Sequence, residues 1–374
     1  MANDFNPGLS PHHYASFDRR YAAGRLTKQD QRILLTGLKS AESEAENFKI
    51  KKLESELSGE DLFGKDSQLD KMCRAAIKAH PTGEFFAISM GTDSADITQA
   101  IESIPERQFT QIATSVEDPA SLKLFDTYLE KMWGYAKQLD GHLFAASKKS
   151  VAETIKIYSI DSEAENPQTI MNHKHVTLMH AEGSKSEHFE WAATLAATVA
   201  KYAWPPYKPF QTLPLLGLEP QDRGPSLDEK NKLLKHGLST FYVDAGEVKI
   251  DRLVSTYKFK NGVKDDSYRD LSKKMILSYL RYDILAYLKK AFPRHGLARE
   301  GLYEGDVVSP DSLRPQIIAH YKSWVRENLV QFSKDFERNL KIEVRPNGET
   351  VDMMLPVLLM GQLRSTVTTI SFNT

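Results

Sequence analysis

The chain has 374 residues, of which 41% are hydrophobic and 26% charged, values typical of a globular protein with more than one domain. Its 49 Lys and Arg residues balance 50 Asp and Glu residues, so net charge gives no argument for nucleic acid or an anionic membrane as the main partner. Apolar stretches such as 353–360 are far shorter than the ~20 residues of a membrane span, and no signal for secretion is expected. The single cysteine, Cys73, excludes an internal disulfide and is expected to be a buried thiol on a helix.

The first predicted element is a short strand over 11–18, followed by polar, Arg-rich chain. A strand needs a neighbour for its N–H and C=O groups, and none is predicted nearby in the sequence. This strand must therefore pair with a distant sheet or with another molecule. Its candidate pairing residues are Pro11, His12, His13, Tyr14, Ala15, Ser16 and Phe17.

Strands and helices then alternate. Apolar runs predict strands over 31–39, 84–90, 109–114, 141–146 and 175–180. Helical spacing of apolar residues predicts helices over 68–79, 94–104, 119–139 and 186–202, and the charged segment 41–58 is compatible with a helix. This alternation predicts βαβ units and a mainly parallel sheet covered on both faces, so the first large domain is α/β.

The second half has a different character. Six prolines between 205 and 225 predict a stiff, extended connector. Beyond it, hairpins are predicted over 240–250 and 341–355, the second turning at Asn347-Gly348, and helices over 268–291 and 312–340, which together indicate a separate α+β domain. The last predicted element is again a strand without a local partner, over 365–372. Its candidate pairing residues are Ser365, Val367, Thr369, Ile370 and Phe372.

One segment matches the spacing of a phosphate-binding loop. Residues 59–66 match GxxxxGK and precede a predicted helix. Asp66, however, occupies the position of the Ser or Thr that would bind magnesium, and Glu60 and Asp61 place negative charge where phosphates would lie. A solvated turn that caps the next helix is the favoured interpretation.

Two other patterns are candidate enzymatic sites. His173 and His175 would share one face of a strand, but no HExxH motif or cysteine lies nearby, so partly exposed histidines at strand ends are favoured over a zinc site. Ser184 and Ser186 lie outside any GxSxG motif, and one of them is expected to be the N-cap of the helix that follows.

A group of cations follows the helix over 268–291. Two interpretations stay open: cations that match the dipole at the C-terminal end of a helix, or a docking patch for an acidic partner surface. The residues are Lys289, Lys290, Arg294, His295 and Arg299.

The C-terminal half resembles the contractile tail sheath proteins of Mu-like bacteriophages. The resemblance is carried by segments 237–240, 246–257, 267–271, 280–282, 292–298, 340–355 and 361–364, and upstream by 213–218 and 61–67. Many Mu-like sheaths insert a β-rich domain after the strand that corresponds to 84–90, whereas here 91–94 leads directly into a helix. The chain is therefore similar to a minimal sheath.

The resemblance implies a subtilisin-like α/β domain without a catalytic triad, followed by an α+β C-terminal sheath domain with extended terminal arms. It implies an N-terminal arm over 1–24, an α/β domain over 25–204, a Pro-rich linker over 205–226, an α+β domain over 227–364 and a C-terminal arm over 365–374. Family sheaths lend such arms to the C-terminal-domain sheets of neighbouring subunits. They face the tube with that domain, which makes Lys289, Lys290, Arg294 and Arg299 candidate tube contacts.

The implied function is that of a structural subunit without cofactor. It would polymerise helically around a tail tube, work with a baseplate and a tail terminator, and contract to drive the tube through the host envelope. Neither nucleic acid nor membrane is an expected partner; the expected location is the virion tail, after assembly in the host cytoplasm. The alternatives are an α/β nucleotide-binding protein or ester hydrolase, a tube or baseplate protein, and the sheath of a phage-derived injection particle.

Overall fold

A computed structural model describes residues 28–158, 171–220, 223–332 and 334–372. The strand predicted over 11–18, with Pro11 to Phe17, lies outside the described residues, so that prediction is not addressed by the fold. Within the described ranges, the strands form one six-stranded sheet and four two-stranded sheets.

Mainly apolar runs form five of the six strands of the large sheet, whereas the edge strand Lys51–Leu53 carries two lysines. Its strands are β1 (Arg32–Gly37), β2 (Lys51–Leu53), β3 (Glu84–Ser89), β4 (Gln111–Thr114), β5 (His142–Ser147) and β6 (Val176–His180). Their order is β2-β3-β1-β4-β5-β6, and all pairs are parallel except that of the edge strand β2 with β3. Every residue of β5 is buried, as expected of a parallel strand covered on both faces.

Helices cover both faces of this sheet. They are α1 (Ser58–Phe63), α2 (Gln68–Ala79), α3 (Ile97–Glu102), α4 (Pro119–Trp133), α5 (Val151–Tyr158) and α6 (His188–Lys201). Because successive side chains of a strand point to opposite faces, Leu35 packs into the cluster on one face and Leu34 into the cluster on the other. The predicted α/β alternation is thus confirmed, although α5 was not predicted.

Two helix predictions were wrong in extent. Segment 41–58, compatible with a helix by composition, is a loop that includes β2. The side-chain amine of Lys39 holds this loop by donating to the carbonyls of Ser43 and Ala45, and Phe48, with φ of 60°, lies outside the helical region. The helix predicted over 119–139 ends at Trp133, because Gly134 and Gln138, whose φ is 56°, leave the helical region.

The second half adds helices and short hairpins. The elements are α7 (Leu227–Lys235), β7 (Thr240–Asp244), β8 (Glu247–Arg252), β9 (Phe259–Lys260), β10 (Val263–Lys264), α8 (Leu271–Ala291), β11 (Gly296–Leu297), β12 (Val307–Val308), α9 (Pro310–Arg326), α10 (Lys334–Asn339), β13 (Lys341–Val344) and β14 (Val351–Met354). Both predicted hairpins are confirmed, as β7 with β8 and β13 with β14. The helix predicted over 312–340 is instead two helices, separated near Asn328, whose φ is 57°.

The Pro-rich segment packs along the β7–β8 hairpin. Phe210, Leu215 and Leu218 are buried in the same cluster as one face of the large sheet. The backbone N–H of Leu215 donates to Val248 in β8 at 2.8 Å. A separate apolar cluster joins α8, α9, α10 and β13. The limits predicted for the linker and the two domains remain predictions.

Candidate assembly surfaces

The chain that follows β14 is held to the body as far as residue 364. The backbone N–H of Gln331 donates to the Leu358 carbonyl at 2.8 Å, and that of Met360 donates to Leu329 at 3.0 Å. The Gln211 side-chain amide donates to the carbonyl of Leu363 at 3.1 Å. These hydrogen bonds hold the segment 357–364 against the rest of the described chain.

The last attachment is an ion pair between Arg364 and Asp270. Asp270 is a buried carboxylate at the N-cap of α8, where it also accepts from the backbone N–H of Ser272 at 3.2 Å. Arg252 lies 3.6 Å from the same carboxylate. We call Arg364, Asp270 and Arg252 the tail anchor, because charged groups of low exposure here hold the chain to a helix terminus.

Beyond the tail anchor, residues 365–372 lie in solvent. Val367 is 99% exposed, Ile370 83% and Phe372 81%. No hydrogen bond joins 365–372 to the other described residues, and the segment forms no strand within the single chain. Large apolar side chains this exposed, at the end of a chain held firmly just before them, are typical of a segment that binds elsewhere.

The β13–β14 hairpin is a sheet with open edges. It pairs with no third strand among those described, so both outer edges present backbone N–H and C=O groups. The β7–β8 hairpin differs, since the Pro-rich segment bonds along β8. The β13–β14 hairpin is therefore an available acceptor for an added strand.

Four residues of the basic cluster, Lys289, Lys290, Arg294 and Arg299, are exposed to solvent, whereas His295 is half-buried. None of these four forms an ion pair with a described acidic residue. Arg299 donates to the carbonyl of Pro346 at 3.1 Å and so joins the cluster to the turn of the β13–β14 hairpin. Lys289 and Lys290 occupy the last turn of α8, which agrees with the helix-dipole interpretation.

The segment that matched a phosphate-binding loop is not an open loop. Its first residues form α1, and Gly64 ends that helix with φ of 83°. Ser67 caps α2 by accepting from the backbone N–H of Asp70 at 3.1 Å. The solvated, helix-capping interpretation of this segment agrees with these contacts.

The two candidate nucleophiles, Ser184 and Ser186, instead make structural hydrogen bonds. Ser184 is buried, accepts from the indole N–H of Trp191 at 2.9 Å and donates to the carbonyl of Glu219 at 2.9 Å. Ser186 accepts from the backbone N–H of Glu219 at 2.8 Å. The expectation that one of them caps the following helix was wrong, because Glu187 is the N-cap of α6.

The histidines were expected to be partly exposed, and this was also wrong. His173, His175 and His180 are buried. His173 lies 3.0 Å from Asp126, and His175 donates through Nε2 to Glu130 at 3.0 Å. Both carboxylates, Asp126 and Glu130, lie on the neighbouring helix α4. Among the described residues, no group of His, Cys, Asp and Glu side chains could hold a metal ion.

A buried amine that the sequence did not reveal lies beside these histidines. Lys274 of α8 reaches Nδ1 of His175 at 2.7 Å, Nδ1 of His142 at 3.0 Å and the carbonyl of Gly141 at 3.3 Å. The Thr177 hydroxyl donates to Val254 and so accepts from Nε2 of His142, which leaves Nδ1 as an acceptor. Three acceptors around one amine match the three donors of an ammonium group.

Burial sets the acid–base behaviour of this cluster. It lowers the pKa of Lys274 to about 7. Burial and the nearby Lys274 lower the pKa of His175 to about 4, and burial lowers that of His142 well below its ordinary value. The hydrogen bond from His175 lowers the pKa of Glu130 to about 2. The cluster joins α8 to the ends of β5 and β6, which is a structural role.

Comparison with known proteins identifies the class. A model of the phage tail sheath protein central domain matches residues 91–256. A sheath tail protein from Desulfitobacterium hafniense aligns with a TM-score of 0.64 at 9% identity over 94% of this chain and 97% of that one. The helical sheath of the anti-feeding prophage, solved in its contracted state, aligns with a TM-score of 0.61 at 12% identity over 98% of each chain. The fold is therefore that of tail sheath proteins.

A relative found by sequence similarity identifies the family to which the chain belongs. The Mu-like prophage FluMu tail sheath protein of Haemophilus influenzae is 31% identical over 284 residues, which are 73% of this chain. The match spans 56% of that relative's length. The chain belongs to the phage tail sheath family. Among the described helices, none combines the length and the apolar composition that crossing a membrane requires.

Proposed function

We propose that this chain is the structural subunit of a contractile tail sheath, in a phage tail or in a phage-derived injection particle. It polymerises helically around a tail tube, and its contraction drives the tube through a host envelope. Its partners are further copies of itself, the tube protein, a baseplate and a tail terminator. It has no catalytic role and needs no cofactor, and it is located in the virion tail after assembly in the host cytoplasm.

The observation that carries the proposal is the exposed segment 365–372 beyond the tail anchor. Its apolar residues Val367, Ile370 and Phe372 have no use in a single chain, whereas an added strand buries part of them and pairs its backbone. The open edge of a neighbouring copy's β13–β14 hairpin is the acceptor that this geometry favours. We assign 11–17 the same role at the other terminus on the sequence pattern.

Two finer features belong to the same proposal. The parallel sheet with helices on both faces supports the subtilisin-like description of the α/β part, and the hydrogen bonds of Ser184 support the absence of a serine nucleophile. The tube contact is assigned to Lys289, Lys290, Arg294 and Arg299, since these cations are exposed and lack acidic partners among the described residues.

Electron microscopy of the purified protein tests the proposal. We expect tubes with a helical surface lattice above a threshold concentration. Monodisperse particles at every concentration, with and without the tube protein, would refute self-assembly. For the tube contact, Lys290→Glu with Arg294→Glu is expected to reduce assembly on the tube protein without changing assembly of the chain alone; assembly at the wild-type level on the tube would refute that assignment.

A further inference from the structure

A cavity of about 330 Å³ lies between α8 and the segments that precede β1, β4 and β5. Its apolar lining includes Leu139, Tyr282 and Leu285. The volume is at the lower end of what ligand sites use, and suits one or two side chains better than a cofactor. The mouth of the cavity is open to solvent.

The polar lining of the cavity includes three cations beside amide side chains, Ser278 and Asp140. Lys137, Arg281 and Lys289 all line it. Arg281 is satisfied inside by Asp140 at 2.8 Å, and Lys137 pairs with exposed Glu106. Lys289 has no acidic partner among the residues described. The cavity therefore combines an apolar lining with a free positive charge at the rim, which favours an occupant that carries an apolar group next to a carboxylate.

The loop over 300–306 carries such a group. Leu302 is 78% exposed and Tyr303 57%, and Glu300, Glu304 and Asp306 flank them. Exposed large apolar residues flanked by acids on a projecting loop are unusual on a surface that contacts only water.

The loop is also held in shape. At its base, the N–H of Gly301 donates to Asp311 at 2.7 Å and the carbonyl of Gly301 accepts from the Ser309 hydroxyl at 2.5 Å. Gly301 and Gly305 have φ of 83° and 73°, a region that glycine enters without strain. The Tyr303 ring lies 3.6 Å from the position that a Cβ on Gly301 would occupy. A preformed loop loses less entropy on binding than a flexible one.

We propose that the loop over 300–306 of one copy of this chain docks into the α8 cavity of a neighbouring copy, with Tyr303 on the apolar lining and Glu304 facing Lys289, which leaves Lys290, Arg294 and Arg299 for the tube. The inference rests on the proposed helical self-assembly and adds a contact between bodies to the exchange of arms. No residue of the loop lines the cavity of its own chain. A contact between two different surfaces repeats from copy to copy, and such a head-to-tail contact builds an open helical polymer when its rotation does not close into a ring.

Charge exchange tests the contact. Lys289→Glu and Glu304→Lys are each expected to raise the protein concentration for half assembly, measured by sedimentation without tube protein, by about tenfold or more. The double variant, Lys289→Glu with Glu304→Lys, is expected to return to within about threefold of the wild type, because the pair is restored with reversed sign. Lys290→Glu is the matched control: it changes the neighbouring charge outside the cavity and is expected to assemble like the wild type.

The outcomes separate this inference from the proposed function. A wild-type chain that never polymerises overturns both. If the wild-type chain polymerises, two results overturn the inference alone. Either both single variants assemble at the wild-type concentration, or the double variant needs as high a concentration as the single variants. Urea unfolding midpoints equal to the wild type confirm that the variants are folded.

Cysteine cross-linking gives a second, independent measurement. The native Cys73 is buried, so introduced thiols report alone. A mixture of Tyr303→Cys and Ala286→Cys chains is expected to form a disulfide-linked dimer only when assembled, since Ala286 lines the cavity. The control mixture contains Leu57→Cys in place of Ala286→Cys. Leu57 is exposed and does not line the cavity. Equal cross-linking of both mixtures, or none in either, would overturn the docking arrangement.

Discussion

Removal of residues 365–374 separates folding from assembly. Within the single chain, Val367, Ile370 and Phe372 are exposed and 365–372 make no hydrogen bond to the rest of the described chain, so the deletion should change the free energy of unfolding by less than about 0.5 kcal/mol. In the polymer, by contrast, each junction loses a strand. The expected result is a folded monomer that forms no tubes.

The size of the assembly defect follows from what an added strand would bury. In a strand, Ile370 and Phe372 point to the same side, and burial of each stabilises by about 1.5–3 kcal/mol. Two or three ladder hydrogen bonds add about 1 kcal/mol each. These gains sum to about 5–9 kcal/mol, and fixing the backbone of about three paired residues costs about 3–6 kcal/mol, so roughly 2–3 kcal/mol remain for each junction, which corresponds to about 30- to 150-fold in association.

A point variant sharpens the test. Ile370→Asp should weaken assembly strongly, whereas Ser371→Asp, on the opposite side of the strand, should weaken it much less. Urea unfolding measures the stability of the monomer, and sedimentation with electron microscopy measures the polymer. Tubes formed by the deletion variant at the wild-type threshold concentration, or equal effects of Ile370→Asp and Ser371→Asp, would show that 365–374 is not an assembly strand.

Three further changes test the body. Asp283→Ala should destabilise the chain by about 3 kcal/mol, because buried Asp283 accepts from Trp324 and His320, both at 2.7 Å; Asp283→Asn, which keeps an acceptor, should lose less, and equal urea midpoints for the two would contradict this. Burial lowers the pKa of His180 to about 4, so its contribution to stability is fully present above pH ~6.5 and is lost as the pH falls toward 4. Lowering the pH from 7 to 4.5 should therefore reduce the free energy of unfolding by about 2–3 kcal/mol through His180. In urea unfolding at the two pH values, a His180→Gln variant should lose less stability than the wild type. Ser184→Ala should lower stability by about 1–2 kcal/mol without changing assembly, and a loss of any hydrolytic activity in this variant would instead point to a nucleophile.

Local patterns were enough to predict five strands of the large sheet and the β7–β8 and β13–β14 hairpins, but not β2 or the β9–β10 pair. The strand β5 is a continuous apolar run, and a run of that kind is buried on both faces wherever helices alternate with strands. Asn347-Gly348 between alternating runs predicted the β13–β14 hairpin, because the turn residues alone define its geometry. Exchange of 365–372 was predicted from the lack of any partner nearby in the sequence and remains a proposal.

Contacts between distant residues could not be predicted. Lys273 and Lys274 are adjacent in α8, yet Lys273 is exposed and Lys274 is buried against two histidines that precede it by about a hundred residues or more. Nothing in the local sequence separates the two lysines, because the difference arises from the side of α8 that meets β5 and β6. The tail anchor has the same character, since Arg364 and Asp270 are 94 positions apart.

In the proposed exchange, the tail anchor sets the point at which segment 365–372 leaves the rest of the chain, and its loss should therefore weaken assembly without unfolding the chain. In Arg364→Ala, Asp270 keeps the backbone N–H of Ser272 and the nearby Arg252, so we expect a stability loss of only about 1 kcal/mol. The segment 365–372 would then leave from a looser root, and its effective concentration at the neighbouring hairpin would fall by about tenfold. Arg364→Lys keeps the charge and should assemble at an intermediate concentration. If Arg364→Ala tubes form at the wild-type threshold and survive contraction intact, the arm needs no fixed root, and the free segment alone joins the copies.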